Sequence, residues 1–136
     1  MITKNKVFII TGASAGIGSE LACQLAEKGA HVVCAARTMT KLETVCKNIK
    51  DKGGSAIPIQ ADITNKDQCE KVIFQTIKTF NRIDGLVLNA GVSMWAKFDK
   101  IEDVSFFKTI MDTNYMGSVY CVHAALPFLK KTRGKI

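Results

Sequence analysis

The residues with the clearest chemical potential stand near the start of the chain, in the run Thr11-Gly12-Ala13-Ser14-Ala15-Gly16-Ile17-Gly18. Glycines at 12, 16 and 18 let a chain turn tightly, bring backbone N–H groups close to a diphosphate and pack a following helix against a sheet. A helix starting near Ile17 would turn its positive N-terminal end toward the same phosphates. Glycine also serves plain tight turns, so the motif means phosphate binding only where a strand precedes it and a helix follows. Four later groups have side chains suited to recognition: Arg37-Thr38, Asp62-Ile63, Asn89-Ala90-Gly91, and Asn114 within Asp112-Thr113-Asn114-Tyr115-Met116-Gly117.

The elements that must position these groups are legible in the hydrophobic pattern. Lys6 to Thr11 is an almost continuous apolar, β-branched run, the pattern of a strand buried on both faces. Ile17, Leu21, Ala22 and Leu25 form a helical stripe that ends at Lys28-Gly29, and His31 to Ala36 is a second buried strand. Leu42, Val45, Cys46 and Ile49 mark a second helix, closed by Lys52-Gly53-Gly54. Ala56 to Ala61 is a third strand, which Pro58 confines to a sheet edge. Cys69, Val72, Ile73, Thr76, Ile77 and Phe80 mark a third helix, followed by a fourth strand at Gly85 to Asn89 and a loop through Trp95. Two helical stretches, about Glu102 to Asp112 and Asn114 to Lys130, lead to Gly134-Lys135-Ile136, the first step of a fifth strand. This alternation requires right-handed crossovers and a parallel sheet, an α/β doubly wound architecture.

Composition narrows the classes of function. The 136 residues are 47% apolar and 23% charged with only 2 Pro and 10 Gly, which suits one globular domain and excludes disordered, collagen-like and linker-dominated chains. The longest uncharged apolar stretch, around Val119 to Leu129, contains His123 and Pro127 and falls short of the roughly 20 residues of a membrane span. The start, Met1 to Lys6, lacks the features of a secretory signal, so a cytoplasmic location is expected. The net charge of +7 admits nucleic acid or an anionic cofactor as partner. The 16 lysines are scattered among acids with no aromatic residues interleaved, which argues against nucleic acid. Cys23, Cys34, Cys46, Cys69 and Cys121 show no C-x-x-C spacing and lie in apolar or helical settings, so they are expected as reduced core thiols, with no metal site.

The spacing G-x-x-x-G-x-G, with Thr11 ahead of it and Ile17 between its last two glycines, resembles the short-chain dehydrogenases/reductases. Asp62-Ile63, Asn89-Ala90-Gly91 and Asn114 match that family in order and approximate spacing, so the resemblance covers essentially the whole chain. Leu88 departs from it, standing where many members have a second Asn. The resemblance implies a Rossmann-like, NAD(P)-binding domain over residues 1–136, incomplete at its C-terminal end before strand five. It implies that Gly12, Ser14, Ala15, Gly16, Ile17 and Gly18 surround the pyrophosphate and adenosine ribose. Asp62 and Ile63 would contact the adenine, with Asp62 accepting from its amino group; capping the helix that begins near Asn65 is the other role open to Asp62. Asn89 would tie neighbouring strand ends while Ala90 and Gly91 let the nucleotide approach.

Cofactor choice is expected at the end of strand two. An NAD-preferring site carries an acid there for the ribose 2′-hydroxyl, and that acid would repel the 2′-phosphate of NADP. This chain has Ala35-Ala36-Arg37-Thr38, in which Arg37 offers a planar donor fork suited to phosphate and Thr38, like Ser14, a hydroxyl. NADP(H) is therefore expected in preference to NAD(H).

In the family a Tyr, a Lys four residues after it, a Ser and an Asn carry the proton chemistry of hydride transfer. Asn114 matches the Asn, either in that role or as a residue that kinks its helix. Tyr115 is followed at four residues by Val119 and Tyr120 by Ala124, and the Ser belongs to a strand beyond Ile136. Two readings stay open: an NADP(H)-dependent oxidoreductase of carbonyl compounds or alcohols represented by its cofactor-binding half, or a non-catalytic dinucleotide-binding or interaction module. The resemblance further implies a small-molecule substrate and a homo-dimer or homo-tetramer built on the helix holding Asn114 and the one after it. Ala124 to Leu129 looks like members acting on steroids and related lipids. In the family strand order 3-2-1-4-5-6-7, strand four is expected as an unpaired edge here, and the helices from Glu102 onward should expose an apolar face. Met94 and Trp95 are expected to pack within their loop rather than line a pocket.

Overall fold

The computed structural model describes residues 3–136; Met1 and Ile2, at the start of the segment judged to lack a secretory signal, lie outside them. Four parallel strands, β1 (Val7–Thr11), β2 (His31–Ala36), β3 (Ser55–Gln60) and β4 (Gly85–Val87), lie in the order β3-β2-β1-β4. The connections are α1 (Gly16–Glu27), α2 (Met39–Asp51) and α3 (Lys66–Phe80). A short 3₁₀ turn at Phe98–Lys100 precedes α4 (Ser105–Ile110) and α5 (Gly117–Thr132).

The apolar runs in β1 and β2 are continuous because each strand is covered on both faces. Phe8, Ile10, Val32 and Cys34 pack with Leu25, Leu42, Cys46 and Ile49 of α1 and α2. Val7, Ile9, Val33 and Ala35 point the other way, into Cys69, Val72, Ile73, Cys121, Ala125 and Leu129 of α3 and α5. Four of the five free cysteines are buried in these two layers. Thiol hydrogen bonding to Cys46, together with burial, pushes Cys34 up, and hydrogen bonding to Cys69 with burial does the same to Cys121, so both are held as protonated core groups.

β3 is an edge strand, and Pro58 sits in it opposite Cys34, as its missing donor requires. The sequence reading needs three corrections. The stretch expected as two helices is one helical run from Ser105 to Thr132, whose junction is a π-helical turn at Met111–Met116 rather than a break. Asn114 lies inside that turn and does not begin a helix. Nor is β4 an unpaired edge: Lys135 N–H donates to the Asp84 carbonyl and Leu86 N–H to the Lys135 carbonyl, both at 3.0 Å, a parallel bridge on the side of β4 away from β1. The expected first step of a fifth strand is thus present. Along the last helices Phe107, Met111, Tyr115 and Val119 recur every four residues as an exposed apolar stripe.

At the opposite end of the sheet from the glycine turn, Asp84 anchors β4 to β1. Its carboxylate, 7% exposed, accepts from Val7 N–H at 2.9 Å and from both Nε and Nη2 of Arg82 at 2.7 Å, with Lys6 Nζ at 3.4 Å. Burial alone would raise its pKa; the Arg82 fork and the Val7 amide outweigh it and hold the carboxyl below its ordinary value. A depressed carboxyl stabilises the fold fully above its unfolded pKa of about 3.9, and that stabilisation is lost as pH falls through the lower folded-state value. Asp84→Asn should therefore cost about 2 kcal/mol near neutral pH. In urea unfolding the gap to the unsubstituted protein should narrow below a pH of about 3.9; a gap independent of pH would refute this assignment.

Candidate functional site

Strand order reverses at β1: β2 and β3 lie to one side of it and β4 to the other, which opens a crevice above the C-terminal strand ends. The glycine run fills the turn from β1 to α1. Gly12 has φ +66°, and a Cβ on it would lie 2.8 Å from Ala90 Cα. A Cβ on Gly18 would stand 2.5 Å from both Asn89 Nδ2 and the Gly12 carbonyl oxygen. These two glycines let the turn close onto the end of β4. Gly16 differs: it needs its glycine for φ +57° alone, with open space around its Cβ position.

Thr11 and Asn89 lock that closure. The buried Thr11 hydroxyl accepts from the Asn89 and Ala90 N–H groups at 3.1 Å and donates to the Val87 carbonyl at 3.3 Å. Asn89 Nδ2 donates back to the Thr11 and Gly12 carbonyls at 3.0 and 3.2 Å. Sequence places Thr11 at the head of the glycine motif without giving it a role of its own, though a β-branched hydroxyl ending an apolar strand is the available signal.

A cleft of about 350 Å³ opens above this junction, and its walls include Gly12, Ser14, Arg37, Thr38, Asp62, Ile63, Asn89, Ala90 and Gly91. Nine of the predicted residues thus meet in one cavity. Ala15, Gly16 and Ile17 lie outside its walls, exposed on the turn and first turn of α1, and Gly18 is buried beneath. Ala15 occupies the N-cap of α1, no side chain caps it, and no acid stands in its first turn, so the helix end offers unsatisfied N–H groups to an anion. Sequence reasoning missed Lys41, Thr64, Val92 and Thr113 among the lining residues. Of these Lys41 was within reach, four residues after Arg37 at the start of a helix.

Asp62 keeps one carboxylate oxygen occupied: Oδ1 accepts from the Thr64 N–H at 2.9 Å and hydroxyl at 2.8 Å. The cap of α3 is Asn65, whose side chain accepts from Gln68 N–H at 3.1 Å, so capping is not what Asp62 does. Next to Asp62, Gln60 Nε2 donates to the Arg37 carbonyl at 2.8 Å, and Ala61 N–H donates to the Ala36 carbonyl at 2.9 Å.

Asn114 stands behind the cleft rather than in its wall. Its Oδ1 accepts from Val92 N–H and its Nδ2 donates to the Val92 carbonyl, both at 2.8 Å. The side chain therefore pins the loop after β4 to the π-helical turn. In that loop Trp95 is fully exposed, against the expectation that it packs, because no neighbouring element covers the loop; Met94 is half-buried.

The two kinds of glycine should separate experimentally. Gly18→Ala forces its methyl into Asn89 and the Gly12 carbonyl, and should lower stability by about 2–3 kcal/mol. Gly16→Ala meets no neighbour and should cost only about 1 kcal/mol of backbone strain. Thermal melts of both variants check this, and equal losses would overturn it.

The model of the short chain dehydrogenase family matches residues 6–136. The chain is 42% identical over 132 residues to 11-beta-hydroxysteroid dehydrogenase 1A of Arabidopsis thaliana, covering 96% of this chain and 38% of that protein. It is 39% identical to 11-beta-hydroxysteroid dehydrogenase A of Sesamum indicum over the same shares. The chain thus spans about two fifths of the length of these curated relatives. Among solved structures, a metagenomic short-chain oxidoreductase in complex with NADP superposes with a TM-score of 0.89 at 27% identity, over 97% of this chain and 60% of that one. An alcohol dehydrogenase from the archaeon Thermococcus sibiricus, complexed with 5-hydroxy-NADP, gives 0.89 at 28% identity, over 95% and 55%. With a family match over residues 6–136 and the fold it shares with these structures, the chain belongs to the short-chain dehydrogenase family.

Proposed function

We propose that this chain is the cofactor-binding part of an NADP(H)-dependent oxidoreductase that interconverts a carbonyl compound and an alcohol. The observation that carries the cofactor choice is the end of β2, where the cleft is lined by Arg37 and Thr38 and the strand ends without an acid. The uncapped N-terminus of α1 and the close approach of Gly12 to Ala90 make the cradle that a dinucleotide diphosphate fits. When bound, the nicotinamide supplies or accepts the hydride.

The chain's own residues bind and orient. The turn from Gly12 to Gly18, with Ser14, Ala15, Gly16 and Ile17, holds the diphosphate and the adenosine ribose through its backbone. Arg37, with the hydroxyls of Thr38 and Ser14, holds the 2′-phosphate. Asp62 accepts from the adenine amino group beside Ile63, and Asn89, Ala90 and Gly91 form the floor. Asn114 is a positioning residue, since both polar atoms of its amide are used to fix Val92.

The substrate class to test first is an alcohol or ketone on an apolar ring system, after the hydroxysteroid dehydrogenase names of the relatives. A homo-dimer or homo-tetramer through the exposed stripe on α4 and α5, and a reducing, cytoplasmic setting for the five free thiols, belong to the same reading. The second reading is a dinucleotide-binding module without turnover.

Binding and turnover test these separately. Calorimetric titration should give a Kd for NADPH about tenfold or more below that for NADH, a preference that Arg37→Gln removes; equal affinities would refute the cofactor choice. In the protein as it occurs in its source, oxidation of NADPH in the presence of cyclic ketones supports the oxidoreductase, and tight binding without turnover supports the module.

A further inference from the structure

The cations are scattered along the sequence, but the fold gathers most of them at the end of the sheet opposite the cleft. Crossover helices run back against parallel strands, so the last turns of α1, α2, α3 and α5 lie beside the first residues of the strands. Hydrogen bonds join these segments: the Thr3 hydroxyl donates to the Lys28 carbonyl at 3.1 Å, Asn5 N–H to the Gly29 carbonyl at 2.8 Å, and the Thr132 hydroxyl to the Ile83 carbonyl at 2.6 Å. The four last turns, with the segments that connect them to the strands, hold 11 of the 19 cations and only three of the 12 acids. This end therefore carries more positive charge than the +7 of the whole chain, and the remainder is close to neutral.

All three acids are already engaged, Glu27 by Lys52, Asp51 by Lys47, and Asp84 by Arg82 and Lys6. Eight of the 11 cations are exposed and, among the described residues, form no ion pair. Lys130, Lys131, Arg133 and Lys135 stand at and just after the end of α5. Lys4 and Lys28 flank the start of β1, and Lys50 and Lys78 lie in the last turns of α2 and α3. A cation in the last turn of a helix complements its dipole, but each helix end supplies only about half a negative charge, so four ends offset only about two positive charges. The dipoles also give no reason for Lys4, Arg133 and Lys135, which lie outside the helices.

We propose that this end is a docking surface for an anionic phospholipid bilayer. Nine of the 11 cations are lysines, flexible point charges that demand no fixed geometry and so suit a field of laterally mobile headgroups. Exposed aromatic side chains such as Trp95 and Phe107 lie elsewhere, so this end offers no platform for stacking on the bases of a nucleic acid. No helix among the described residues is long and apolar enough to cross a membrane, and the contact proposed is peripheral and electrostatic. Docked in this way, the protein turns its cleft away from the bilayer and leaves it open to solvent. The proposal is independent of the cofactor reading.

Co-sedimentation of the protein as it occurs in its source, with vesicles of phosphatidylcholine alone or mixed with phosphatidylserine, tests this. Only the mixed vesicles should carry the protein down, and salt at about 1 M, where the Debye length falls to about 3 Å, should release it. A lysine near an anionic surface is worth roughly fivefold in binding, so Lys4→Gln, Lys28→Gln, Lys130→Gln and Lys131→Gln combined should weaken binding at least about fiftyfold. Lys66→Gln, Lys71→Gln, Lys97→Gln and Lys100→Gln combined remove the same charge from the cleft end and should weaken it less than about threefold. Circular dichroism verifies folding, and Lys4→Gln with Lys28→Gln, or Lys130→Gln with Lys131→Gln, should each give an intermediate loss. Equal losses in the two fourfold variants overturn the proposal, as does failure to bind the mixed vesicles or equal binding to phosphatidylcholine alone. Displacement from the mixed vesicles by duplex DNA at equal phosphate concentration assigns the surface to nucleic acid and overturns it as well.

Discussion

The hydrogen-bonded junction between Thr11 and Asn89 is the constraint on which the rest of the site depends. It joins the end of β1 to the end of β4 at the point where strand order reverses, using one buried hydroxyl and one side-chain amide. The backbones come so close there that Gly12 and Gly18 have no room for a Cβ. That approach sets the floor of the cleft and aims α1 at it. Opening the junction would cost about 1–3 kcal/mol for each buried group left without a partner, and the floor of the cleft would be lost with it.

Electrostatics divide the sheet into two functional ends. At the N-terminal end of β4 an acid is satisfied internally: Asp84 is enclosed by Arg82, Lys6 and the Val7 amide and serves stability alone. At the C-terminal strand ends the charges are left open. Arg37, Lys41 and the uncapped start of α1 face a cavity in which only Asp62 carries a negative charge, and one of its oxygens is already engaged by Thr64. The end at which a cavity is left with unpaired charges is the one at which we propose that the dinucleotide binds. Behind the cleft, Asn114 extends the same logic by turning an irregular loop into a fixed wall through Val92.

Much of this was legible from sequence because buried parallel strands and amphipathic helices impose distinct periodicities. β1 and β2 were readable since both faces are covered, and Pro58 marked β3 as an edge for a reason intrinsic to its ring. The helix after the β4 loop was misdivided because a π-helical turn shifts the register of the apolar stripe without ending the hydrogen-bonded run. The pairing of Lys135 with Gly85 was hidden because a single bridge leaves no pattern of alternation. Within the site, residues with a backbone reason, such as Gly12 and Asn89, were found. Lys41 was missed because one lysine among 16 carries no signal until α2 aims it into the cleft.

The measurement that bears most directly on the central claim is a crystal structure of the protein with NADP⁺ bound. The diphosphate should lie on the turn from Gly12 to Gly18, the adenine beside Asp62 and the 2′-phosphate within hydrogen-bond reach of Arg37. A dinucleotide bound outside the cleft, or one whose 2′-phosphate points to solvent away from Arg37, would contradict the account.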